Sequence, residues 1–146
     1  MSTARKWQEV ADISKPCADI STTCSSDGDS RLVLRMHFAR VVDGIAQDLL
    51  LSFETPLTLR WEEESIGLLE TPAELPRLDR GKHGAYAFPV LRVERSALAA
   101  KYAARQFAAD DPNAERVVHF LLLSLNDTVE VVSLGEPMVK WVACED

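Results

Sequence analysis

The stretch RVVHFLLLSLNDTVEVVS, residues 116–133, constrains the fold more than any other part of the chain. Two apolar, β-branched runs flank Asn126-Asp127, a turn-forming pair. Runs this short and this rich in valine and leucine suit strands covered on both faces. The sequence therefore predicts a hairpin. A two-residue loop at Asn126-Asp127 pairs Leu125 with Thr128 and Leu123 with Glu130. One face then carries Val118, Phe120, Leu122, Val129 and Val131, with only Ser124 and Ser133 polar. The other carries His119, Leu121, Leu123, Leu125, Thr128, Glu130, Val132 and Leu134. In this register His119 and Glu130 lie too far apart along the ladder to be opposed, and no catalytic dyad is expected. A face this apolar must be covered by a helix, line a pocket or meet another subunit.

Further strands announce themselves by period two. In RLVLRMHFAR, Leu32, Leu34, Met36 and Phe38 alternate with Arg31, Val33, Arg35 and His37. Asp43-Gly44 supplies a turn, and Leu49, Leu51 and Phe53 then share one face. After Pro56, which marks a strand break or an edge bulge, Leu57, Leu59 and Trp61 are expected inside and Thr58, Arg60 and Glu62 outside. YAFPVLRVE reads as a strand, with Pro89 pointing to an edge or bulge. Ser96 is placed to cap a helix over 96–108, whose alanine content makes it the firm helix of the chain. A short N-terminal helix over 4–13 would put Trp7, Val10 and Ala11 together. Strands at 116–125, 128–134 and 138–143 form a C-terminal meander. The expected fold is α+β: a curved, mainly antiparallel sheet of six to seven strands, curling toward a half-barrel, with a helix against one face. The chain reads as one domain, 1–146, with an irregular segment at 14–30 and a long acidic loop at 63–84.

Charge narrows the function classes. Sixteen basic against 23 acidic residues give −7, which opposes binding to nucleic acid or to an anionic membrane. Residues 61–80 hold six acids against Arg77 and Arg80 and so supply −4 of that total. No run approaches a membrane span, and the N-terminus lacks a signal-peptide core, so a cytoplasmic location is expected. Three cysteines, Cys17, Cys24 and Cys144, do not make a disulfide framework, and no role is assigned to them.

Catalytic motifs are missing. There is no G-x-S-x-G elbow, and His37, His83 and His119 leave few partners for a triad. Cys17 and Cys24 are spaced too widely for a structural zinc pair, so neither metal nor cofactor is expected. Glu62 and Glu64 can converge on one face of a strand, but a solvated strand end accounts for them. Lys82 and His83, between Gly81 and Gly84, could cradle phosphate but fit a plain surface turn. The leading expectation is a non-catalytic module of adaptor, inhibitor or immunity type that binds another protein, the acidic surface favouring a basic partner. The alternative is a small-molecule binder or cofactor-independent enzyme with a pocket in the curl of the sheet, where His119, Glu130, His37 and Arg35 would be the polar liners. A homodimer through Leu121, Leu123, Leu125 and Val132 of the 116–134 hairpin is compatible with either. Were Trp61 or Trp141 exposed beside the acidic segment, it would suit a protein interface.

Overall fold

Strands dominate the computed structural model, which describes residues 2–10, 17–23, 31–42, 44–63, 73–74, 89–124 and 127–144. In chain order they are β1 (Ser2–Lys6), β2 (Asp19–Thr23), β3 (Leu32–Val42), β4 (Ile45–Phe53), β5 (Thr55–Glu63), β6 (Ala73–Glu74), β7 (Val90–Glu94), β8 (Val117–Leu123), β9 (Asp127–Leu134) and β10 (Met138–Ala143). A single α-helix among the described residues, α1 (Ala97–Gln106), lies between β7 and β8. The class is α+β, as the sequence predicts. The sheet is divided in two, however: one of six strands in the order β5-β9-β8-β7-β1-β6, and one of four in the order β10-β4-β3-β2. Pairing is antiparallel throughout except between β1 and β6, and neither sheet closes into a barrel.

Two sheets form because two apolar faces each need a cover. Leu34, Met36, Phe38, Leu49, Leu51 and Phe53 make one such face, and Val118, Phe120, Leu122, Val129 and Val131 make the other. They pack against each other as the core of a sandwich. The chain crosses between sheets at Glu54 and again over 135–137, where Gly135 takes φ +86°. The C-terminal meander is corrected here: β10 leaves β9 and pairs with β4 on the other sheet.

Several local expectations hold in detail. Gly44 adopts φ +79° in the β3–β4 turn, where Val42 pairs with Ile45. Pro56 sits on the edge strand β5, and the register shifts between Pro56 and Thr58, an edge bulge. Ser96 is the N-cap of α1, its Oγ accepting from the Ala99 N–H at 3.0 Å. Pro89 is no edge marker, because β7 is an inner strand of its sheet. It precedes the first strand residue, and its carbonyl accepts from Leu123.

Other expectations fail. The N-terminal helix is replaced by β1, which pairs with β7, followed by a 3₁₀ turn at Gln8–Val10. Trp7 and Val10 are buried there all the same, because the ladder to β7 supplies backbone partners that an isolated short helix lacks. Trp61, expected inside, is 37% exposed, and Leu59 beside it 39%. Their inward face lies at the rim of the six-stranded sheet, where less of the opposite sheet remains to cover it. The acidic stretch 64–72 and 75–88, with Glu64, Lys82 and His83, lies outside the described residues, as do Cys24 and most of the irregular segment. No described helix is long and apolar enough to cross a membrane.

Candidate functional site

His119 and Glu130 meet. The hairpin register is shifted by two residues from the one the sequence predicts, pairing Leu123 with Thr128 and Leu121 with Glu130. A slip of two leaves every side chain on its expected face. It also moves His119, opposite Val132, into the diagonal position beside Glu130, within reach of long side chains. His119 Nε2 lies 2.6 Å from Glu130 Oε1, with both side chains buried. The contact is close without the geometry of an aligned hydrogen bond at the ring N–H, and it is an ion pair when the imidazole carries its second proton.

The face that carries this pair is covered by α1, the first of the three covers open to it. His119 Nδ1 is 2.7 Å from Ser96 Oγ, so the imidazole links the helix cap to the sheet. With the ring proton on Nε2, the Ser96 hydroxyl donates to Nδ1 while accepting from Ala99. Arg60 on β5 is the direct cross-strand partner of Glu130 and places a positive charge on the same face. The residue before the cap, Arg95, holds φ 52°, a left-handed conformation that turns the chain sharply from β7 into the helix. Ser96 lines a cleft of about 450 Å³ together with Arg92, Arg95, Ala99, Ala103 and Val118. Ser96→Ala is expected to cost about 1 kcal/mol of stability, read from the urea unfolding midpoint, with Ser96→Asn recovering part of the loss through its own capping oxygen.

Three residues of the expected dimer patch are buried within the chain. Leu121, Leu123 and Val132 are at most 2% exposed within the single chain, and Leu125 lies outside the described residues.

His37 and Arg35 belong to a different group, on the outer face of the four-stranded sheet. Their alternation with Leu34, Met36 and Phe38 turns them away from the core. They converge on Asp48 of β4, the direct partner of His37. Asp48 Oδ1 is 2.6 Å from His37 Nδ1 and accepts from the Cys144 thiol at 2.9 Å. Asp48 Oδ2 accepts from Arg35 Nε at 2.6 Å, and Arg35 Nη2 donates to the Ala143 carbonyl at 2.9 Å. The four sequence candidates thus form two pairs on opposite outer faces of the sandwich and do not line one pocket.

Burial pushes the Asp48 carboxyl up. The hydrogen bonds from Cys144, Arg35 and His37 outweigh that and hold it below its ordinary 3.8. A depressed carboxyl stabilises the fold fully above its ordinary value and loses that contribution as the pH falls through its folded value. Urea unfolding measured between about pH 6 and pH 2 is therefore expected to show an acid-side loss of stability that is smaller in Asp48→Asn. Cys17 behaves differently. Burial, with Asp19 beside it, pushes its thiol up to about 12, so it stays neutral.

The sequence reading missed Ser96, Asp48 and Cys144 as site members. From the sequence Ser96 reads only as a cap, and Cys144 lies far from both partners along the chain. Asp48 faces His37 because the β3–β4 register shifts between His37 and Arg40, which residue counting from the turn does not show. Glu62 pairs with Arg60 at 2.7 Å on β5. Comparison of the chain with protein-family models, curated proteins and solved structures finds no match.

Proposed function

We propose that the protein is a non-catalytic module that binds a basic partner protein along β5. The observation that supports this reading is the exposure of Trp61 and Leu59 on an edge strand, next to Glu62 and at the head of the acidic segment. Among the described residues no strand pairs with the outer side of β5. Exposed tryptophan with an acidic rim suits an interface with an apolar centre and charge-steered approach. Pro56, the bulge and the Arg60–Glu62 ion pair blunt the edge against open-ended strand pairing, which leaves side chains as the contact surface.

The test starts with a partner recovered by cross-linking and purified. Its Kd is measured against wild type and Trp61→Ala at low and moderate salt. Expected results are a loss of about tenfold or more on removing Trp61, and weaker binding as salt rises. An affinity indifferent to Trp61 sinks the surface, and one indifferent to salt sinks its electrostatic part.

A second reading, a cofactor-independent acyl-transfer enzyme, draws on the Ser96–His119–Glu130 chain at the cleft. Against it, Ser96 is only 8% exposed and its oxygen already caps the helix. Labelling of Ser96 by a fluorophosphonate would bring this reading forward, and an unlabelled chain would leave the three groups as a tie between helix and sheet.

A further inference from the structure

The group on the outer face of the four-stranded sheet has a composition that the rest of the molecule does not explain. His37, Asp48 and Cys144 come from β3, from β4 and from the residue after β10, and their donor atoms lie within 4.8 Å of one another. The Cys144 Sγ to His37 Nδ1 separation is 3.6 Å. Around a tetrahedral zinc ion, ligand atoms bonded at about 2.0–2.3 Å stand roughly 3.3–3.7 Å apart. The sulfur–nitrogen pair already has that spacing. The two contacts to Asp48 Oδ1, at 2.6 and 2.9 Å, need to open by less than about 1 Å.

The surroundings favour an ion over a simple hydrogen-bond cluster. Asp48 is oriented through its second oxygen by Arg35, which is itself pinned to the carbonyl preceding Cys144. Bracing of this kind fixes a carboxylate ligand from behind. His37 keeps a side-chain exposure of 40%, which gives an entry path and room for a fourth, water ligand. One carboxylate and one thiolate neutralise a dication. The added charge of Arg35 is offset by Asp19, the exposed cross-strand partner of His37 on β2. Sulfur and nitrogen donors select zinc or a similar ion over calcium and magnesium, which take oxygen ligands.

We propose that His37, Asp48 and Cys144 bind a thiophilic divalent transition-metal ion, zinc by preference, with three protein ligands and an open fourth position. On binding, the Cys144 S–H proton now donated to Asp48 leaves to solvent, the proton that His37 Nδ1 shares with Asp48 moves to Nε2 or to solvent, and bonds to sulfur, nitrogen and oxygen replace three of the ion's water ligands. Such a site is independent of the β5 surface, so its success or failure leaves the partner-binding reading unaffected.

The experiment titrates the reduced full-length chain, first stripped with chelator, with Co²⁺ and then Zn²⁺. A saturable thiolate-to-cobalt charge-transfer absorption at a single equivalent, displaced by zinc, is expected. Cys144→Ser should abolish that absorption and weaken zinc binding by about tenfold or more, while far-UV circular dichroism stays unchanged. Asp48→Asn should weaken zinc binding and keep the charge-transfer band. Absence of saturable binding overturns the proposal, and so does a band that persists in Cys144→Ser, since the ion would then sit on Cys17 or Cys24. If Cys144→Ser fails to fold, His37→Asn carries the test, and an affinity unchanged by it overturns the site.

Discussion

Replacing Glu130 by Ala is expected to destabilise the protein by about 3–5 kcal/mol, among the largest effects of any single substitution in the chain. Both Glu130 and His119 are fully enclosed, so neither can recover its lost partner from water. The penalty comes mainly from leaving His119 Nε2 in a dry, low-dielectric layer with nothing across from it. Equilibrium urea unfolding reads it directly, as a fall in midpoint at unchanged slope. The companion variant His119→Leu with Glu130→Met removes both groups and keeps roughly the same volume. It should return to within about 2 kcal/mol of wild type, because buried ion pairs exchange well for packed apolar side chains. Ser96 then loses its ring partner but keeps Ala99. A cost below about 1 kcal/mol for Glu130→Ala would mean that water reaches the pair.

Phe120→Ala should be comparably severe, at about 3–5 kcal/mol. Phe120 is fully buried at the middle of the sandwich, with Trp7 edge-on at 5.0 Å and Phe53 at 5.9 Å. Its loss leaves a cavity that the surrounding strands can close only in part, and it also removes two edge-to-face ring contacts worth about 0.5–1.5 kcal/mol each. For a chain of this size the thermal midpoint should drop by roughly 10–15 °C in calorimetry. Phe120→Leu, which refills most of the volume, should recover more than half of that. Near wild-type stability for the alanine variant would show that Trp7 swings into the space.

Residues in regular patterns were legible before the structure. Arg35 and His37 turn outward because Leu34, Met36 and Phe38 turn inward, and period two in the sequence says as much. Ser96 as cap, Gly44 as turn and Pro56 as edge bulge each follow from local backbone chemistry. What escaped depends on which strand lies next to which. In the sequence Asn126-Asp127 is the one guide to the hairpin register, and the two-residue difference separates a distant His119 and Glu130 from a contacting pair. Trp61 reads as core by alternation, yet its exposure depends on how far the opposite sheet extends. Cys144 joins His37 only because β10 crosses to the other sheet, and a crossing of that kind leaves no periodic trace.

The strand order also governs the sequence of events by which the chain folds. β2, β3 and β4 are consecutive in the chain and pair as neighbours, so that part of the four-stranded sheet joins segments close in sequence. The six-stranded sheet differs, because β5 reaches its neighbour only when β9 arrives, and β1 has only the two-residue β6 beside it until β7 does. Two of its inner strands, β8 and β9, belong to the last third of the sequence. Such distant partners must meet at an entropic cost before any contact rewards them. During synthesis the early meander must therefore wait with one apolar face uncovered, and the sandwich closes only after β9 has left the ribosome.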